Sequence, residues 1–243
     1  DNDFLVYLPV RDMWHQRGPR NDDAKEASKN RRGGEDLLMQ FDIHTMDEKA
    51  PQFIRSILTI DSLGYDCDYI SDRQLAKVRI DNGMLVTEGG TRYRALIIPT
   101  GTTIDASLKQ EVERLRPFVI QGETPALMAH FAKAEPMRTV FGLRSIRRKT
   151  AEGWHYFIAN LTPRDIDADI ALAIPFQAAT LFNPMNGDVT PTAVNDGKVH
   201  LSLRSGESII VQTRNEQLAV SKKQIANSQE YTLNGPWKLS FTE

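Results

Sequence analysis

One cysteine, Cys67, occurs in the 243 residues, which excludes an internal disulfide and any zinc site built from several cysteines. No apolar run approaches the ~20 residues that a helical bilayer span needs, and no basic stretch followed by an apolar segment opens the chain as a leader would. Charge of one sign is missing too. A net charge of −2 makes no electrostatic case for nucleic acid or an anionic membrane as a partner. Neither G-x-G-x-x-G after the first strand nor G-x-x-x-x-G-K-[ST] anywhere is present, so a phosphate-cradling loop is not expected. What remains is 40% hydrophobic and 26% charged, the composition of an ordinary globular protein.

The most pronounced stretch is DFLVYLPVRDMWH, residues 3–15. Phe4 to Val10 is a nearly continuous apolar run, too short to span a bilayer, and it reads as a strand buried on both faces in a parallel sheet. Pro9 removes a ladder donor and marks its end. Arg11, Asp12, Trp14 and His15 follow at once, and ligands of open α/β sheets collect at the carboxyl ends of strands. These four are the candidate site residues. An aromatic plane beside two polar groups suits a sugar or a neighbouring domain; the plainer reading is that Trp14 anchors the loop or is buried between domains.

Residues 16–36 are polar and glycine-containing and read as a long surface loop; Leu37 to Ile43 reads as a short strand or docking segment. Asp47 and Glu48 suit a helix first turn. The segment after them carries Phe53, Ile54, Ile57 and Leu58 at helical spacing and stops at Gly64. A short strand over 65–70 and a short helix capped by Ser71 or Asp72 follow. Asp81-Asn82-Gly83 marks a hairpin, which leads to a second buried strand at 95–99. Asp105 caps a helix with Leu108, Val112 and Leu115 on one face; a third strand covers 118–122, and Thr124-Pro125 opens another helix. Strand and helix alternate throughout, so 1–136 is expected to be a three-layer α/β domain of flavodoxin-like type.

From Arg138 the helical period gives way to alternation at Trp154, Tyr156 and Ile158, at Ile166 to Ile174, at Val199, Leu201 and Leu203, and at Ile209 to Val211. Turn signals separate these runs, so a small antiparallel β-sandwich is expected over 137–213. Residues 214–229 suit a linker, and 231–241 read as the first strand of something further. Both ends therefore look like cuts in a longer protein.

Catalytic constellations are scarce. A glutamine-amidotransferase-like enzyme needs a nucleophile on a sharp strand-to-helix turn. Cys67 sits instead inside a strand between Asp66 and Asp68, which disfavour its thiolate. The turn at 120–124 offers no Cys or Ser. Asp42 and His44, with His15, are too sparse for a metal set, and no carboxylate pair stands out for glycoside hydrolysis; Glu123, at a strand end, equally suits the first helical turn. No cofactor and no metal are expected.

Three segments carry a family resemblance: LVYLPVRDMWH at 5–15, LGYDCDYISDRQL at 63–75 and YRALIIPTGTTID at 93–105. They resemble the C-terminal region of bacterial glycoside hydrolases, most closely the family 106 type α-L-rhamnosidases. The Tyr231-x-Leu-x-Gly-x-Trp237 start resembles that family's entry into a galactose-binding-like jelly roll. The resemblance implies a class I glutamine-amidotransferase-like domain over 1–136, the β-sandwich over 137–213, and a linker with the first strand of a truncated jelly roll over 214–243. It also implies that the catalytic acid and base lie on a (β/α) barrel upstream of Asp1, so no catalytic residue is carried over. The implied partner is that barrel, in the same polypeptide, with carbohydrate nearby, and the implied location is periplasmic or secreted. The alternative is a carbohydrate-binding or oligomerisation module with its own ligand.

Overall fold

The computed structural model describes residues 2–15 and 51–215. The readings of 16–50, including Asp42 and His44, and of the stretch beyond 215 lie outside the described residues.

The first strand, β1 (Phe4–Tyr7), is buried at every position. It is central in a four-stranded parallel sheet, with β2 (Cys67–Ile70) on one side and β6 (Ala95–Ile98) on the other; β7 (Val119–Gln121) forms the far edge. Alternate side chains enter different cores, as a pleat requires. Phe4 and Val6 meet Phe53, Ile57 and Ile60 of helix α2 (Pro51–Ser62) and Met128 of α5 (Pro125–Phe131). Leu5 and Tyr7 meet Leu75 of α3 (Asp72–Leu75) and Leu108 and Val112 of α4 (Ala106–Arg114). Between β1 and α2 the chain makes α1 (Val10–His15).

Local signals are realised closely. Asp105 caps α4 by accepting from the Leu108 amide at 2.8 Å. Ser71 precedes α3, and its amide donates to Gln74 Oε1 at 3.3 Å. Asn82 and Gly83 both have positive φ (49° and 71°), the pair that a two-residue type I′ hairpin demands. That turn joins β3 (Arg79–Asp81) to β4 (Met84–Val86), which pairs in turn with β5 (Arg92–Tyr93).

The expected flavodoxin-like, amidotransferase-like three-layer domain is not what forms. Among the described residues the parallel sheet has four strands, and residues 79–93 make a separate antiparallel sheet whose Leu85 and Tyr93 join the core on the Leu5 side. Among the described residues the structure is sheet-rich, with 38% strand against 25% helix, and most of the sheets are antiparallel. Alternation of strand and helix specifies parallel pairing, but not how many strands pair or what covers them.

The second half contains a five-stranded and a three-stranded antiparallel sheet around a shared core. The larger, ordered β12-β11-β15-β9-β8, comprises β8 (Arg144–Lys149), β9 (Gly153–Ala159), β11 (Ala178–Phe182), β12 (Val189–Thr192) and β15 (Ser208–Arg214). The smaller, β10-β14-β13, comprises β10 (Ile166–Ala171), β13 (Val194–Asn195) and β14 (Lys198–Leu203). Tyr156, Ile158 and Val211 face Ile170, Val199 and Leu201 between them.

Two elements depart from expectation. Helix α6 (Pro136–Phe141) forms where the helical period was expected to have ended. Strand β8 has its pattern inverted: Ser145 and Arg147 are buried while Ile146 is 62% exposed. Ile146 instead begins a cross-strand row on the outer face, through Phe157, Ile210, Phe182 and Val189. Such direct neighbours are the units that hold a sheet in register.

Candidate functional site

The sequence candidates fall at the carboxyl end of the parallel sheet, as the Val10–His15 helix leaves β1. Arg11 is half exposed; its guanidinium forms an ion pair with Asp105, the cap of α4, and lies 3.8 Å from Asp72 on α3. Asp12 accepts from the Thr103 amide at 2.9 Å. The Tyr7 hydroxyl donates to Asp72 at 2.6 Å. Burial, and then the bond to Asp72, push the Tyr7 phenol well above its ordinary value. The structure thus gathers Arg11 and Asp12 with Tyr7, Asp72, Thr103 and Asp105. The backbones of Trp14 and His15 continue the same helix; their side chains lie outside the described residues.

Glu123, after β7, is likewise committed. It accepts from the buried Ser56 hydroxyl on α2 and from the amide (3.3 Å) and hydroxyl (3.2 Å) of Thr100. Its carboxylate clasps α2 to the loop that follows β6. Cys67 lies within β2, where burial, and then Asp66, Asp68 and Asp61, push its thiol up to about 12 against a weak opposing pull from Arg138. A thiol held neutral is not a nucleophile. Among the described residues no three of His, Cys, Asp and Glu gather as a metal set, and no helix is long and apolar enough to cross a membrane.

The densest polar cluster lies elsewhere, where the two halves meet, and sequence reasoning did not find it. Arg147 reaches inward from β8 and donates to Asp3 at 2.7 Å and Glu135 at 3.0 Å. All three are buried, at 7%, 6% and 1% exposure. Glu135 also accepts from the Tyr156 hydroxyl at 2.8 Å and the Ala173 amide at 2.8 Å. Asp3 accepts from the Asp66 amide at 3.2 Å. Burial raises the Glu135 carboxyl above its ordinary value despite the Ala173, Tyr156 and Arg147 donors, and Asp3 adds to the rise. Burial opposes the charge of Arg147 as well, yet Asp3 and the other groups around it hold the guanidinium above its usual range.

A second arginine extends this junction. Arg138 on α6 donates to the Tyr65 carbonyl (3.1 Å), Asp66 (2.7 Å) and Asp61 (2.5 Å). The glycine that ends α2 is required here. Gly64 has φ of +86°, and a Cβ on it would stand 3.0 Å from the Glu135 carbonyl oxygen; its own carbonyl accepts from the Glu135 amide at 2.8 Å.

Chemically, these groups do not form a reaction centre. An ion-paired guanidinium, capped carboxylates and a neutral thiol make no nucleophile–base pair with a free reacting atom between them. They form joints.

No family model matches the chain, and no curated protein matches it. Among solved structures it is similar to the rhamnosidase from Novosphingobium sp. PP1Y, at 14% identity over 69% of this chain and 21% of that one, with a TM-score of 0.48. The chain spans about a fifth of the length of that protein.

Proposed function

We propose that the chain is a non-catalytic supporting part of a polysaccharide-degrading glycoside hydrolase of the α-L-rhamnosidase kind, exported from the cell and built to buttress a catalytic barrel upstream. In this reading 1–136 and 137–213 are two domains bolted together, and 214–243 leads into a further one. One observation carries the supporting role: the buried Asp3–Arg147–Glu135 junction. Its ionic groups are spent on holding the first strand against the second half, which is what a scaffold needs and an active site cannot spare. The kind of parent is suggested by the residue resemblances at 5–15, 63–75 and 93–105. These segments supply β1 with α1, β2 with α3, and β6 with the loop to α4.

The helix that carries Arg11 to His15 is the natural edge toward the barrel, because it crowns the end of the parallel sheet where ligands collect. Turnover of an aryl α-L-rhamnoside by this chain alone and by a polypeptide extended upstream of Asp1 tests the reading. The extended protein is expected to hydrolyse it and the chain alone to leave it intact. Asp12→Asn or Trp14→Ala in the extended protein is expected to lower kcat/KM. Turnover by the chain alone refutes the scaffold, and unchanged kcat/KM in both variants refutes the barrel-facing edge.

A further inference from the structure

A cleft of about 310 Å³ opens beside the ionic junction, at the amino end of β1. Four cations line it (Arg92, Arg94, Lys133 and Arg147) against one acid, Asp3. Two of those charges are already matched: Arg147 by Asp3 and Glu135, and Arg92 by Asp81. Arg94 and Lys133 remain, and among the described residues no carboxylate lies within ion-pair distance of either. Apart from Asn2, the rest of the wall is apolar and includes Trp154, whose ring is held by the Arg147 guanidinium 5.3 Å from its centre.

Counting Asp3, Glu135 and Asp81 against the four cations leaves a local excess of one positive charge, carried at the mouth by Arg94 and Lys133. In a protein of net charge −2 such an excess draws anions into a concave site. A bare inorganic anion would use the cations and leave the apolar wall wet. A ring with one carboxylate uses both: its carboxylate meets the guanidinium and ammonium in charge-assisted hydrogen bonds, and its C–H face covers the wall. The volume is at the lower end of small-ligand pockets.

We propose that this cleft binds an acidic saccharide through a uronate carboxylate held by Arg94 and Lys133. The site is separate from the barrel-facing helix. The proposal rests on the reading of a polysaccharide-degrading parent only for the choice of a sugar as the ring.

Chemical-shift titration of the protein with methyl β-D-glucuronoside, methyl β-D-glucoside and sodium sulfate, at matched ionic strength, tests it. The glucuronoside is expected to shift the Trp154 indole signal and to bind at least about tenfold tighter than the glucoside. Arg94→Gln and Lys133→Gln, both on exposed side chains, are each expected to weaken glucuronoside binding about tenfold, the order expected of one charge-assisted contact, with the spectrum otherwise unchanged. Equal binding of glucuronoside and glucoside, equally tight binding of sulfate, or no shift at Trp154 overturns the proposal. None of these outcomes bears on aryl rhamnoside turnover, so its failure and that of the supporting role are distinguishable.

Discussion

Replacing Arg147 by methionine removes the one cation between two buried acids while keeping much of the side-chain volume. Asp3 and Glu135 are 6% and 1% exposed, so neither carboxylate can recover its lost partner from water. Breaking a buried ion pair from one side costs about 3–5 kcal/mol. For a protein of this size, where one kcal/mol moves the midpoint by about 2–4 °C, that becomes a fall of about 6–20 °C. The control is Arg144→Met on the same strand. Its side chain is 55% exposed against an Asp61 that is 35% exposed, and exposed pairs are worth about 0–1 kcal/mol. Thermal and urea unfolding of both variants, followed by circular dichroism, measure the difference.

The pH dependence separates lost charge pairing from lost packing. Folded Glu135 holds its proton to a higher pH than the ordinary carboxyl value of 4.5. Within that window the folded state binds more protons than the unfolded one, so the Glu135 contribution to stability falls as pH rises from about 4.5 through the folded value. Without Arg147 the upward shift grows, so the cost of Arg147→Met is expected to be largest at pH 7 and to shrink toward pH 4. Combining it with Glu135→Gln and Asp3→Asn is expected to restore part of the loss at pH 7. A midpoint no lower than that of Arg144→Met, or a cost independent of pH, refutes the ionic account of the junction.

Gly153→Ala is expected to prevent normal pairing of β9 with β15. The added Cβ would stand 2.0 Å from the Thr213 carbonyl oxygen, so the backbone itself must move; the loss should exceed the about 1–3 kcal/mol of ordinary overpacking and appear as a depressed unfolding midpoint. Cys67, with its thiol pushed from 9.0 to about 12, is expected to carry about a thousandfold less thiolate at pH 8 than an ordinary thiol. Modification by a disulfide reagent should be correspondingly slow in the native protein and rapid in 6 M guanidinium; fast native modification contradicts the buried environment. Asp105→Ala removes the cap of α4 and a partner of Arg11, and is expected to cost about 0.5–2 kcal/mol in urea unfolding.

The elements that sequence read correctly are those whose signals are local. Phe4–Tyr7 announces a doubly buried strand by its unbroken apolar run, Asn82-Gly83 a hairpin by its backbone requirement, and Asp105 a helix start by its side-chain oxygen. The sheet's extent is different, because it depends on which distant strands meet. Four strands and a packed hairpin give the same alternation along the chain as a larger three-layer sheet would. Strand β8 was hidden for another reason. In RSIRRK the inward positions are Ser145 and Arg147, so the usual alternation is reversed and no apolar pattern marks the strand.

The junction was invisible with it. Asp3, Glu135 and Arg147 are 132 and 12 residues apart along the chain, and nothing in the spacing of three charged residues announces that they share one buried site. The usable hint was weak: β9, with its clear alternation at Trp154, Tyr156 and Ile158, needed a second neighbour, and the preceding charged stretch was the nearest chain able to supply it. Arg11 and Asp12 were legible as a polar exit from the first strand. That they would be tied to Asp105, Asp72 and Thr103 follows only from loops the sheet brings together.

The supporting role is tested most directly by measuring aryl α-L-rhamnoside hydrolysis for this chain and for the polypeptide extended upstream of Asp1, side by side. The account predicts turnover by the extended protein alone, lowered by Asp12→Asn or Trp14→Ala. Hydrolysis by the isolated chain would contradict it.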